Sequence, residues 1–204
     1  MSFRKEKKYR IAFSEMAILK KTLFKSGMNN LHPPRLVNSC YFDTPELKLF
    51  SESEEGVLPR KKVRVRWYDK TKKFTKEIKV SSIEGRFKYK KNELNIQNYD
   101  DLLNIKIFDK LYGQLIPILT ISYEREYFSF RKLRITFDKN ISYTFLKSIS
   151  KPSFMDNECV MEVKAPINCN DNYIEKLIRY PTSRFSKYAR GCHLNNQKNL
   201  KFNL

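Results

Sequence analysis

The chain has little of several things, and each shortage excludes a class of protein. Only 5 glycines occur in 204 residues, while aromatic residues reach 14% and apolar residues 41%. Such a chain is a folded domain with a sizeable core, not a low-complexity tail. The four cysteines, Cys40, Cys159, Cys169 and Cys192, are scattered without a CxxC pair. Neither a zinc site nor a disulfide framework is suggested, so the thiols are read as reduced and the compartment as cytoplasmic. No run of 18 apolar residues is found, and the N-terminal MSFRKEKKYRIAF has no apolar signal region, so no membrane span and no secretion signal is expected. Repeats of 20 to 50 residues and low-complexity linkers are lacking too, which leaves one domain over 1–204 as the expectation. The two histidines, His32 and His193, read as incidental.

Negative charge is also short. Asp and Glu total 22 against 41 Lys and Arg, a formal net charge of +19. A field of that size implies a polyanionic partner: nucleic acid, phosphate polymer, nucleotide or anionic membrane surface.

What the chain does have is strand pattern. Segments 3–13, 37–43, 61–68, 73–80, 84–91, 119–130, 132–138 and 158–165 read as strands. Helices are expected at SEMAILKKTLFKSG, with Ser14 as N-cap and Gly27 as stop, and at DTPELKLFSESEEG, with Thr44 ahead of Pro45 at the first helical position. YDDLLNIKIFDKLYG and DNYIEKLIRY read as two amphipathic helices and SRFSKYARG as a short terminal one. The sum is an α+β fold: a mainly antiparallel sheet, long enough to curl into a β-barrel, with helices packed outside.

Side chains on a strand alternate between faces. In KKVRVRWY, Arg64, Arg66 and Tyr68 share one face, and Val63, Val65 and the single Trp67 the other. The same division separates Glu6, Lys8 and Arg10 from their neighbours, and Glu77 and Lys79 from Ile78 and Val80. It sets Arg86, Lys88 and Lys90 against Phe87 and Tyr89, Arg134, Thr136 and Asp138 against Ile135 and Phe137, and Glu162 and Lys164 against Met161 and Val163. A merely solvated face would mix neutral polar groups with balanced charges; this one is mostly arginine and lysine. Enclosed together, these cations need counter-ions, and a phosphate chain supplies them to arginine forks and mobile lysines. Glu6, Glu77, Asp138 and Glu162 would repel phosphate unless Mg²⁺ or Mn²⁺ sat between them. In-sheet ion pairs, Glu77 with Lys79, Glu162 with Lys164 and Glu6 with Lys8, are the other reading of the carboxylates. The aromatics fall on the apolar face, which argues against stacking platforms for RNA.

EKKY (6–9), NSCYFDTPEL (38–47), VRVRWY (63–68), KEIK (76–79), YEREYF (123–128), LRITFD (133–138), MEVK (161–164) and RFSKYARG (184–191) occur in order along the chain. Together they resemble the catalytic domain of the vacuolar transporter chaperone (VTC) polyphosphate polymerases, a branch of the triphosphate tunnel metalloenzymes. The resemblance implies an eight-stranded antiparallel tunnel that transfers the γ-phosphate of ATP to inorganic polyphosphate with Mn²⁺ or Mg²⁺. It implies Arg64, Arg66, Lys8 and Lys187 at the transferring phosphate, and Lys79, Arg10, Arg86, Lys88, Arg125, Arg134, Lys164 and Arg184 along the substrate. Glu162 would hold the metal, with Glu6, Glu77 and Asp138 as further candidates. ATP and polyphosphate are then the partners, with no specific nucleic acid, and a separate membrane or regulatory partner would supply what the chain lacks. A triphosphatase or polyphosphatase of the same fold, or a non-catalytic polyphosphate-binding module, is the alternative.

Overall fold

The alternating segments pair edge to edge. The computed structural model describes residues 4–202 apart from 70, 72, 84, 95, 97 and 147–151. Among these the elements are β1 (Arg4–Ala12), α1 (Phe13–Lys25), β2 (Asn29–Asp43), α2 (Lys48–Glu55), β3 (Arg60–Tyr68), β4 (Phe74–Ser82) and β5 (Gly85–Leu94). Then follow α3 (Tyr99–Asn104), β6 (Ile107–Asp109), β7 (Gly113–Phe130), β8 (Leu133–Phe145), β9 (Ser153–Met155), β10 (Glu158–Pro166), α4 (Asp171–Leu177) and α5 (Lys187–Phe202). Hydrogen-bonded neighbours run β1, β10, β8, β7, β2, β3, β4, β5, with β6 added to β7 and β9 to β8. The class is α+β on an antiparallel sheet with an eight-strand path, as the sequence implies.

The chain divides into two compact units. The first comprises Met1–Leu36, Tyr123–Ile141 and Met155–Phe185; the second comprises Val37–Ser122, Ser142–Phe154 and Ser186–Leu204. Each has its own core. In the first, α1 packs on β1 and β10 over Tyr9, Ile11, Ile135, Phe137, Met161 and Val163, all buried. In the second, α2 packs on β3 and α5, and Val63 and Val65 join Cys40, Phe42, Phe74 and Leu115, with Trp67 against them. The lone tryptophan is therefore a packing residue, 5.3 Å from the Phe74 ring and 6.0 Å from Tyr99. In β1, β3, β8 and β10 the apolar positions of the alternation are the core, which leaves the charged positions on the opposite face, whereas Tyr89 of β5, expected on the apolar face, is exposed.

Several boundaries differ from expectation. The segment 99–113, expected as one helix, is α3 followed by the β6–β7 hairpin. Asn98 and Asp101 form a reciprocal capping box that starts α3, the β-branched and aromatic Ile105, Ile107 and Phe108 favour extension, and Gly113 turns the chain at φ +72°. Ser14 is not the cap of α1: Ala12 takes that place with no side-chain bond, whereas Gly27 does stop the helix, at φ +100°. α2 begins at Lys48 instead of Pro45, because the Asp43 carboxylate accepts from the Leu49 and Phe50 N–H groups at 2.8 and 2.9 Å and so caps the first turn from further back. β2 starts at Asn29, running through Pro33 and Pro34, whose ring-locked φ is compatible with extended chain. β7 and β8 are longer than expected, β9 is additional, α4 stops at Leu177, and α5 runs past Gly191.

Candidate functional site

The second unit gathers cations on neighbouring strands. The register places Lys62 opposite Lys79 and Lys79 opposite Lys88, three lysines in one cross-strand row. Directly opposed like charges are unfavourable in a sheet, so this row demands compensation. The next row is Tyr41, Arg64, Glu77, and the next Ser39, Arg66, Thr75. Arg64 and Arg66 are 8% and 7% exposed and Glu77 only 2%. Glu77 accepts from Arg64 Nε at 2.8 Å and from Lys88 Nζ at 2.5 Å, with Arg66 3.8 Å away. Arg64 also donates to the Tyr41 hydroxyl at 2.9 Å, and Arg66 to Ser39 Oγ at 3.1 Å. From α5 and the residue before it come Ser186, which accepts from Lys62 Nζ at 2.8 Å, and Tyr188, whose ring stacks on Tyr41 at 4.9 Å and whose hydroxyl donates to the fully buried Asp43. Lys187 lies between these two in the chain.

Among the described residues Glu77 is the carboxylate that directly meets Arg64, Arg66 and Lys88, and the excess of positive charge around it bears on the ionisation of its neighbours. Burial opposes ionisation of Glu77, but Arg64, Arg66 and Lys88 outweigh it and bring its carboxyl down to about 2. Burial also opposes ionisation of Tyr41, yet Arg64, Arg66 and Lys79 lower its phenol to about 7. The Lys88 ammonium is depressed by burial, with Arg64 and Arg66 adding repulsion against the attraction of Glu77. An arginine pair held by Glu77, Tyr41 and Ser39 is fixed in place, and fixed guanidinium groups are of the chemical type that pairs with anionic oxygens.

The first unit mixes the signs. Its rows are Glu6, Lys164, Arg134, then Lys8, Glu162, Thr136. Lys164 Nζ lies 3.3 Å from Glu6 and 3.0 Å from Glu162. Arg125 donates through Nε and a terminal nitrogen to both oxygens of Asp138, at 2.6 and 2.7 Å, and lies 3.9 Å from Glu162. Lys8 Nζ donates to the Phe185 carbonyl at 2.8 Å. Burial would raise the Glu162 carboxyl, but Lys164, Arg125 and Lys8 hold it well below the usual carboxylate range.

A hard divalent cation fits part of this donor set. Glu162 and Glu6, bridged by Lys164, are carboxylate oxygen donors on adjacent strands, and Mg²⁺ commonly takes one or two carboxylates and completes its shell from phosphate and water. Among the described residues no group of three or more His, Cys, Asp and Glu side chains converges as a metal cluster. Asp138, fully buried and clasped by Arg125, and Glu77, taken up by Arg64 and Lys88, are each committed to cations.

The sequence-derived residues therefore fall into two sets: Arg64, Arg66, Lys79, Lys88, Glu77 and Lys187 in the second unit, and Glu6, Lys8, Arg10, Arg125, Arg134, Asp138, Glu162, Lys164 and Arg184 in the first. Arg10 is paired with Glu158 at 2.7 Å in an exposed contact, Arg184 is exposed, and the Arg86 side chain lies outside the described residues. Cross-strand partners of the carboxylates include Arg64 and Lys88 for Glu77 and Lys164 for Glu6, and Glu162 pairs with Lys164 along one strand. Ser39, Tyr41, Lys62 and Tyr188 were missed. The alternation of residues 37–43 carries the signal for Ser39 and Tyr41, which share a face with Asp43. Among the described residues no helix is long and apolar enough to cross a membrane.

The family model described as the VTC domain matches residues 3–196. No curated protein sequence matches the chain. Similar solved structures include a proposed adenylate cyclase from Bacillus halodurans, with TM-score 0.58 and 15% identity over 91% of this chain and 94% of that one. A proposed adenylyl cyclase from Hippeastrum, described as having a dominant triphosphatase activity, gives TM-score 0.58 and 15% identity over 94% of this chain and 96% of that one. These similarities show a shared fold.

Proposed function

The chain belongs to the VTC domain family, and on that premise we propose that it is a metal-dependent polyphosphate polymerase, transferring the γ-phosphate of ATP to a growing inorganic polyphosphate chain in a basic tunnel. The observation that carries this reading is the buried Arg64–Arg66 pair, ringed by Lys62, Lys79 and Lys88 and balanced by Glu77. Such an excess of fixed positive charge suits a ligand with one negative charge or more per phosphate.

Phosphoryl transfer asks mainly for positioning and charge neutralisation. The attacking atom is a terminal oxygen of the acceptor phosphate, already ionised at neutral pH, so no side chain has to remove a proton. It forms a bond to the γ-phosphorus as the bond to the β–γ bridging oxygen breaks, and ADP leaves with that electron pair. Arg64 and Arg66 fork onto phosphate oxygens, and their restraint by Glu77, Tyr41 and Ser39 means that little reorganisation accompanies the reaction. Lys79, Lys88 and Lys187 add point charges; the first unit, taken by itself, offers Lys8, Arg134 and Lys164 as further phosphate-binding cations. Glu162 and Glu6 would hold Mn²⁺ or Mg²⁺, which when bound neutralises charge on phosphate oxygens. Asp138 serves this scheme by orienting Arg125. The proposed setting is cytoplasmic.

The test is product analysis by ³¹P NMR after incubation with ATP and Mn²⁺ and removal of the metal with EDTA. Internal polyphosphate resonances are expected, reduced about 100-fold or more in Arg66→Ala and Glu162→Ala. Orthophosphate alone would replace the polymerase reading with a hydrolase of the same fold. No turnover with retained tripolyphosphate binding would leave a binding module.

A further inference from the structure

We propose that Thr136 is a phosphate-binding residue of the first unit, forming with Arg134 a subsite whose occupant is a single phosphate group of a polyphosphate chain. This rests on the reading of the chain as a polyphosphate-handling protein. The Thr136 side chain is 2% exposed, and its hydroxyl has no hydrogen-bond partner among the described residues. Neither has the buried Nε–H of Arg134, two residues earlier on the same strand and the same face. Leaving a buried donor unsatisfied costs free energy, and sequences seldom tolerate two such groups side by side without a ligand for them.

Both orphans can donate, and acceptors are what they lack. Their residues lie about 6.6 Å apart along β8, measured along the backbone and on one face, a spacing that the oxygens of one tetrahedral phosphate can span. The register supplies the surroundings: Thr136 stands opposite Glu162 and Arg134 opposite Lys164. Lys164 in turn bridges Glu162 and Glu6, the carboxylates that suit a divalent cation. A phosphate on Thr136 and Arg134 would thus sit beside both a cationic partner and the carboxylates that hold its counter-ion. The Arg134 guanidinium lies 5.7 Å from the Tyr127 ring, which leaves its planar edge to hydrogen-bond. Ser183 of the same unit has a further buried hydroxyl without a partner among the described residues, and its N–H donates to the Lys8 carbonyl at 2.8 Å.

Calorimetric titration of the whole chain with sodium tripolyphosphate in the presence of Mg²⁺ tests the assignment. Thr136→Val replaces the hydroxyl with a methyl group of the same shape. Because the hydroxyl has no partner in the free protein, the melting temperature without ligand is expected to stay level or rise, while tripolyphosphate affinity falls about tenfold. Thr136→Ser keeps the hydroxyl and is expected to bind like the wild type. Equal affinity of wild type and Thr136→Val overturns the subsite, and so does a Thr136→Ser variant that is folded but as weak as Thr136→Val. Should Thr136→Val not fold, Arg134→Lys, which loses the Nε donor but keeps the charge, carries the test with the same expected loss. Failure of the wild type itself to bind tripolyphosphate would instead overturn the polyphosphate reading on which the subsite rests.

Discussion

Glu77 is a carboxylate enclosed by cations, and its removal unbalances a buried site. Breaking a buried ion pair by losing one partner typically costs about 3–5 kcal/mol, because the remaining charges stay desolvated and unpaired. Glu77→Gln is therefore expected to lower stability by about that amount in urea unfolding at pH 7, and added tripolyphosphate should restore part of the loss by supplying the missing negative charge. The same group carries a pH dependence. Its folded value, about 2, is below the ordinary 4.5, so the stabilisation is fully present above pH 4.5 and is lost as pH falls from there towards 2. Melting curves of the wild type should drop through that window, and those of Glu77→Gln should drop less; parallel curves would show that Glu77 is not the titrating group. The identities of Arg64, Arg66 and Glu77 were legible in the alternation, because a strand sends every second side chain to one face. Which cation Glu77 meets was not, since its partners Arg64 and Lys88 come from the strands on either side, β3 and β5.

Among the elements, α5 shows how a helix too polar to stand out in the sequence is held by its neighbours. Gly191 faces Leu119 and Tyr143 so closely that an added Cβ would lie 2.5 Å from a Leu119 methyl and 2.8 Å from the Tyr143 ring. Both neighbours are buried. Gly191→Ala gains up to about 1 kcal/mol in helix propensity, whereas overpacking costs about 1–3 kcal/mol. Net destabilisation is expected, read as a lower urea midpoint, together with weaker tripolyphosphate binding as Ser186, Lys187 and Tyr188 shift at the start of the helix. A midpoint that rises would mean that the packing yields. The short helix expected over SRFSKYARG has Gly191 as its last residue, but in the structure Gly191 is a close-contact residue inside α5, where the missing side chain admits another element. The expected helix over 99–113 failed for a related reason, since β6 exists only because β7 offers it a pairing edge.

At the scale of the molecule, 41 basic residues against 22 acidic ones make anion binding the dominant response to solution conditions. Tripolyphosphate should raise the melting temperature well beyond sodium chloride of equal ionic strength, by the equivalent of about 2.7 kcal/mol at one hundred times its dissociation constant. Equal shifts with both salts would mean that the charged faces are merely screened. The amino-acid sequence by itself determined the antiparallel α+β class, the apolar and charged faces of the strands, and the demand for a polyanion, because side-chain alternation and net charge are properties of the chain alone. Only the tertiary structure decided how those charges are shared: Lys62, Lys79 and Lys88 in one row beside Arg64 and Arg66, and Glu6, Lys8, Glu162 and Lys164 interleaved in the other unit. It also revealed the partnerless Thr136 hydroxyl. Register sets those neighbours, and register depends on which strands meet and where, which no local pattern encodes.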